Sequence, residues 1–471
     1  MDRVDTTSVP SQGLFSSLRE AIAGSHQDYT GVSIERAILL LAVPMVLEMI
    51  MESLFGVVDV FWVAHLGAEA IATVALTETG LTLLFAIALG LSMAATAMVS
   101  RRVGEKDQAA ASVVAVQAIA VGLAISCVSS VLGCVFAPDV LRIMGASDAV
   151  VRLGANYTRI MLGGSTTVFL LFLINAVFRG AGDAATAMRA LWIANAVNIC
   201  LNPFLIFGIG PFPRLGVTGS AVGTTIGRGI GVAYQIARLT SGRGRITVRL
   251  RQMRLDAAVM WRLCRLSLGG TFQFLVQMAS WIGMVRIVSS FGSVAVAAST
   301  LAIKIIVFAI LPSWGMSNAA ATLVGQNLGA GKPERAERSV WRTAFYNMCF
   351  LGVIGLIFIL FAEPIIRIFT SDPAIVPLAV TCLRYLSYGY LSYAYGMVVS
   401  QSFNGAGDTL TPTILNLICF WVCQIPLAYA LAFPLGIGPT GPFIAVVFSD
   451  TLLAILGIIW FRRGRWKKQV V

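Results

Sequence analysis

Between residues 37 and 462 the chain repeats one feature: apolar runs, each about as long as a helix that crosses a bilayer. A helix rising 1.5 Å per residue needs roughly 20 residues to traverse about 30 Å of hydrocarbon. On that ruler twelve spans are predicted, at 37–64, 71–98, 112–136, 149–178, 185–208, 217–240, 257–290, 294–323, 340–362, 374–403, 410–433 and 438–462. Hydrocarbon offers no partner for an unpaired backbone N–H or C=O, so helices are the expected form. Hydrophobic residues make up 57% of the 471 residues and charged ones 12%. Soluble domains carry about 25% charged residues. The sequence therefore excludes a soluble fold and predicts an all-α integral membrane protein.

The formal charge of +12 does not point to nucleic acid, because of where the basic residues stand. They collect in "SRRVGEKD", "SGRGRITVRLRQMR", "GAGKPERAERSVWR" and the tail "FRRGRWKKQVV", which are alternate loops and the C-terminus. By the positive-inside rule these segments and both termini face the cytoplasm, as in a multi-pass protein of the plasma (inner) membrane. The intervening loops, such as "AHLGAEA", "GIGPFP" and "FPLGIGP", carry little charge. All eight Cys lie in or beside apolar spans, which predicts free thiols. The polar leader does not read as a cleaved signal peptide. With "FSSLREAIAG" at its centre, it is expected to be disordered in preference to forming an interfacial helix.

The loops repeat at one offset. Gly67 in "HLGAEAIA" matches Gly292 in "SFGSVAVA", Gly104 in "VGEKDQAAA" matches Gly329 in "LGAGKPERA", and Asp183 in "RGAGD" matches Asp408 in "NGAGD". The differences, 292−67, 329−104 and 408−183, are each 225. The chain is thus a leader (1–33), an N-lobe (34–240), a basic linker (241–256), a C-lobe (257–462) and a basic tail (463–471). Each lobe has an even number of spans, so the second enters with the orientation of the first. The expected architecture is two six-helix lobes related by a pseudo-two-fold axis along the membrane normal, an arrangement common among transporters.

Glu48, Glu52 and Asp59 fall inside the first span. At 100° per residue their spacing puts them within about 40° of one helix face. Three charges facing lipid would cost on the order of 8–10 kcal/mol, comparable with a protein's whole net stability. The stripe is expected to face the protein interior or a watery cavity. Adding 225 to 48, 52 and 59 gives Gln273, Gln277 and Met284, so the acids occur in one lobe only. In the fifth span Asn195, Asn198 and Asn202 share a face just before Pro203. Interhelical packing is the competing role for all of these polar residues.

In this order and duplicated, "VVDVFWVAHLGAEAIA", "SRRVGEKDQAA", "FRGAGD", "NICLNPFLIFGIG", "GVTGSAVGTT" and "AAATLVGQNLGAGKPERAE" resemble the multidrug and toxic compound extrusion (MATE) transporters over nearly all of the chain after residue 34. The resemblance implies a monomeric secondary exporter of small organic molecules that works by alternating access and antiport of H⁺ or Na⁺, with no other cofactor. It places the family's N-lobe carboxylate at Asp59 and the bend of the first helix at Pro44, where a missing backbone hydrogen bond makes bending easy. It assigns Asn198, Asn202 and Thr224 to the same ion site, with Na⁺ a candidate ligand there. Asn202 stands where the family's N-x-x-x-D-P pattern has Asp. That loss, and the ability of Asp59 or Glu52 to hold a proton beside a second acid, favours H⁺ over Na⁺. Gln277 and Tyr393 fall where NorM-type members carry acids, which places the ion site in the N-lobe.

Glu48, Asn195, Gln273, Gln277, Tyr393 and Lys304 are candidates for the substrate cavity, and the acids suit amphipathic organic cations. Lys304 is expected to form a structural ion pair with a stripe acid, in preference to contacting substrate or snorkelling. Glu78 has no evident role, and Arg286 lies near enough to the outer end to snorkel. Asp183 and Asp408 are expected to cap helices after Gly turns. Lys332 is followed by Pro333, so "LGAGKPERA" is no phosphate-binding loop, and no nucleotide partner is expected. The alternative within the superfamily is a lipid-linked oligosaccharide or peptidoglycan-precursor flippase. It is disfavoured because intramembrane acids outnumber intramembrane bases. An enzyme is disfavoured because the only His residues are His26 and His65, with no metal or nucleophile cluster.

Overall fold

A computed structural model describes residues 14–25, 27–242, 244–248 and 254–471; His26 and part of the basic linker lie outside the described residues. The first three spans are the helices Ile34–Ala64, Ala68–Gly104 and Gln108–Ile143, and the fourth is made of Asp148–Gly163 and Ser165–Ala181. The fifth to ninth are Ala184–Phe207, Val217–Thr240, Ala257–Ser289, Ser293–Gly329 and Pro333–Leu360, the last followed by the short helix Ala362–Phe369. The tenth consists of Val376–Tyr388 and Tyr390–Ala406, the eleventh is Leu410–Ala432 with a π-helical stretch at Leu417–Gln424, and the twelfth is Gly441–Arg462. All twelve expected spans are present. The breaks in the fourth and tenth, at Gly164 and Gly389, are new, and 389−164 is again 225.

Ten of these helices are long and apolar enough to cross a membrane on composition alone; the sixth and tenth are not among them. The sixth buries Arg228 and Gln235, and the tenth buries Gln401, Ser402 and Asn404. Their polar groups turn inward, where hydrogen bonds replace water. The eight cysteines are all free thiols.

The lobes meet symmetrically. The first span packs on the eighth, the second packs on the seventh in the mirrored role, and the second and eighth pack on each other. Glycines allow the closest approaches. A Cβ on Gly104 would stand 2.1 Å from the carbonyl oxygen of Gln326, and one on Gly329 would stand 2.1 Å from that of Arg101. These contacts are mates, since 329−104 and 326−101 are both 225. Deeper in, a Cβ on Gly315 would lie 2.5 Å from the Met45 carbonyl oxygen, and one on Gly90 would lie 2.6 Å from that of Ser267. All of these contacts lie toward the end of the bundle that carries the basic loops.

That end is further sealed by the termini. Contrary to the expected disorder, residues 14–23 form a helix whose Glu20 pairs with Arg36 at 2.7 Å, while Arg189 donates to the carbonyls of Ile22 and Ala23. Ala21 is buried, so an amphipathic sequence has docked its apolar face on protein. At the other terminus Trp466 stacks on Phe461 with ring centroids 4.4 Å apart, and Val471 is buried among N-lobe core residues. Arg101 of the N-lobe donates to the Gln469 carbonyl, so the tail of the C-lobe straps the two lobes together. Gly182 and Gly407 adopt φ of +83° and +88°. After each, the Asp carboxylate caps the next helix, Asp183 accepting from the Thr186 N–H and Asp408 from the Thr411 N–H, both at 3.2 Å.

Candidate functional site: a charged ladder and two cavities

The first span is helical from Ile34 to Ala64 straight through Pro44, and its three acids do turn into the N-lobe. They do not meet one kind of environment. Glu48 is fully buried and pairs with Arg179 of the fourth span at 2.8 Å, while Asn175 donates to the same oxygen at 2.9 Å. Gln235 of the sixth span holds Asn175 in place through a 2.6 Å bond to its carbonyl. One turn on, Glu52 receives both guanidinium arms of Arg228 at 2.7 and 3.3 Å, with Asn195 donating at 3.0 Å. The Arg228 guanidinium also sits 4.9 Å from the centroid of the Phe55 ring, a cation–π contact.

Asp59 has no basic partner at ion-pair distance among the described residues. Its Oδ1 accepts from the Asn202 amide at 2.8 Å and the Ser220 hydroxyl at 2.9 Å. Asn202 donates its other amide hydrogen to Asn198 at 3.0 Å, and Asn198 donates to Thr224 at 2.8 Å. Asp59, Asn198, Asn202 and Thr224 therefore form one hydrogen-bonded chain across three spans. Asn202 turns its NH₂ toward Asp59 and its buried carbonyl oxygen toward Gly223, where that oxygen has no hydrogen-bond partner.

Several expectations need correction. Glu52 meets Arg228 and not Asp59. Glu48 and Asn195 are fully buried partners in this ladder and line neither of the two cavities described below. Lys304 is exposed and forms no ion pair among the described residues; two of the three stripe acids it was expected to meet are taken by arginines. Glu78 comes within electrostatic range of both Asp59 and Lys304. The stripe is not three unpaired acids, since Arg179 and Arg228 pair with two of them. Sequence reasoning passed over Arg179 because it lies one residue beyond the expected end of its span. Arg228 stands mid-span, where a lone base is itself a signal that an acid lies opposite.

Two cavities lie side by side, and the first of them adjoins the ladder. A cavity of about 200 Å³ between the lobes is lined by Glu52, Arg179, Phe85 and Phe172 from the N-lobe and by Trp314 and Asn404 from the C-lobe. A second, of about 90 Å³, lies within the C-lobe and brings together Gln273, Gln277 and Tyr393, three of the candidates, with Asp450. Met93, Trp314 and Gln401 border both. Among the described residues no cluster of three or more His, Cys, Asp or Glu could hold a metal ion.

Comparison with known proteins places this geometry. The MatE family model matches the chain twice, at residues 44–204 and 271–430, once in each lobe. The chain belongs to the MatE family. A probable multidrug resistance protein NorM from Thermotoga maritima is 25% identical over 455 residues, covering 93% of this chain and 94% of that protein. A probable multidrug resistance protein YoeA from Bacillus subtilis is also 25% identical, over 446 residues, with 93% and 96% covered. The outward-facing conformation of a multidrug resistance MATE family transporter of the MOP superfamily superposes with a TM-score of 0.88, at 25% identity over 95% of this chain and all of that one. As a MatE protein the chain is a multi-pass membrane transporter of a multidrug-efflux family, with the twelve-helix fold that the two sets of six spans predict.

Proposed function

We propose that the chain exports amphipathic organic cations by antiport with H⁺, and that Asp59 carries the coupling proton. The observation behind this reading is the inequality of the three stripe acids. Protonating Glu48 or Glu52 would strand a buried arginine, at a cost of about 3–5 kcal/mol. Protonating Asp59 breaks no ion pair and only exchanges charge-assisted hydrogen bonds for neutral ones. Na⁺ is less well served. A hard cation needs oxygens, but the groups turned toward Asp59 are the N–H of Asn202 and the O–H of Ser220.

With the basic end cytoplasmic, the interlobe glycine contacts close the inner side and the cycle begins facing out. A proton arriving from outside neutralises Asp59, Pro44 lets the first span bend, and the interlobe cavity contracts as substrate leaves. Exchange of one H⁺ for one monovalent cation moves no net charge, so the pH gradient drives it, at about 1.4 kcal/mol or tenfold for each pH unit. In inverted membrane vesicles, an inside-acid pH gradient should drive ethidium accumulation and an inside-high Na⁺ gradient alone should not. Asp59→Asn should abolish the pH-driven uptake. Uptake that follows Na⁺, or that survives in Asp59→Asn, would end this reading.

Arg179 on the wall of the interlobe cavity supports one second reading, transport of a substrate with an anionic head group, as a lipid-precursor flippase would require. Flux of an anionic dye that exceeds flux of ethidium would favour it.

A further inference from the structure

The second cavity carries an acid that the coupling scheme does not use. Asp450, on the twelfth span, lines the C-lobe cavity and forms no ion pair or hydrogen bond with another described residue. The walls are aromatic. Phe274 and Trp314 stack with centroids 5.6 Å apart, and Phe420 and Tyr393 complete the enclosure. Gln273, whose side chain is more than nine-tenths buried, has a carbonyl oxygen without a partner in the same cavity. The site thus offers a carboxylate, a free carbonyl acceptor and the π-faces of aromatic rings, and no basic side chain lines it.

Each of those features attracts positive charge. An aromatic face draws a cation through its quadrupole, and the attraction grows when water is excluded. A carboxylate held in a cavity without a counter-ion is costly, and a bound organic cation relieves that cost. The N-lobe side of the interlobe cavity is different, because each of its acids is already matched by an arginine. We propose that the C-lobe cavity is the cation-selecting subsite, that Asp450 is its charge determinant, and that its ligand is a flat aromatic or quaternary monocation. The proposal rests on the reading of the chain as an exporter of organic cations, but it assigns substrate charge selection to the C-lobe and leaves proton coupling at Asp59.

Equilibrium binding to purified full-length protein separates these roles. N-methylquinolinium and quinoline, compared at a pH where quinoline is neutral, share a shape and differ in charge. Asp450→Asn should weaken N-methylquinolinium by about tenfold or more while leaving quinoline within about twofold. Asp450→Glu should recover much of the loss. If the Asp450 variants fail to fold, the native protein still gives an answer. Carbodiimide modification of Asp450, followed by peptide mass, should be slowed by N-methylquinolinium and not by quinoline. Equal loss of both ligands in Asp450→Asn, unchanged affinity for both, or modification indifferent to the cation would overturn the assignment. A failure of proton coupling at Asp59 would leave these binding results unaltered.

Discussion

The two lobes share a backbone plan and differ in the charge they enclose. Each charged pair of the N-lobe ladder has a counterpart 225 residues on, and acid and base have changed together. Glu48 and Arg179 correspond to Gln273 and Asn404, and Glu52 and Arg228 correspond to Gln277 and Leu453. The Asp59 site has gone entirely. Asp59, Asn202 and Ser220 correspond to Met284, Leu427 and Ala445, which pack together in an apolar cluster. In the other direction, Asp450 stands where the N-lobe has Thr225. A buried acid and its arginine behave as one unit, because either one alone is an uncompensated charge. Asp59 and Asp450 lack such a partner, which leaves them free to exchange a proton or meet a ligand.

The first way to break this comparison is to remove one half of a unit. Glu48→Ala should destabilise the purified protein by about 3–5 kcal/mol in equilibrium unfolding, because Arg179 is left buried and unpaired. Glu48→Gln combined with Arg179→Asn installs the C-lobe's own solution and should recover most of that loss. If the double variant is no more stable than Glu48→Ala, the pair is not the unit described here. A smaller effect should follow at the interlobe glycines. Gly104→Ala and Gly329→Ala each drive a Cβ against a carbonyl of the other lobe and should cost about 1–3 kcal/mol, equally for the two. Crosslinking of cysteines introduced on either side of the basic end should slow in both variants. Markedly unequal results would show that the two-fold relation does not extend to the energetics of closure. The smallest effect is expected at the helix caps. Asp183→Ala and Asp408→Ala should each lower stability by about 1 kcal/mol, again equally.

Much of this architecture was legible in the sequence because its causes are local or repeat. Apolar length fixes the spans, and the Gly–Asp turns recur at a constant offset. The stripe of Glu48, Glu52 and Asp59 follows from helical periodicity, and so does its burial. What the stripe meets was not legible, since Arg179 and Arg228 lie more than 100 residues away and their pairing depends on how the fourth and sixth spans pack. The leader misled for a related reason. "LFSSLREAIA" is too short to be a stable helix alone, and tertiary contacts such as the Glu20–Arg36 pair, the Arg189 bonds and the burial of Ala21 give it a place to dock. Gln273, Gln277 and Tyr393 were drawn together from the repeat and the family pattern, while Asp450 escaped notice as a lone acid in an otherwise ordinary span.

The claim that matters most is that Asp59, alone among the three acids of the first span, exchanges its proton against substrate. Proton release can be read directly by adding ethidium to the purified protein in weakly buffered solution and following pH. The native protein should release close to a single proton for each ethidium bound, Glu52→Gln should release as much for whatever it binds, and Asp59→Asn should release none. Release that persists in Asp59→Asn, or that disappears in Glu52→Gln while Asp59 is intact, would contradict the account.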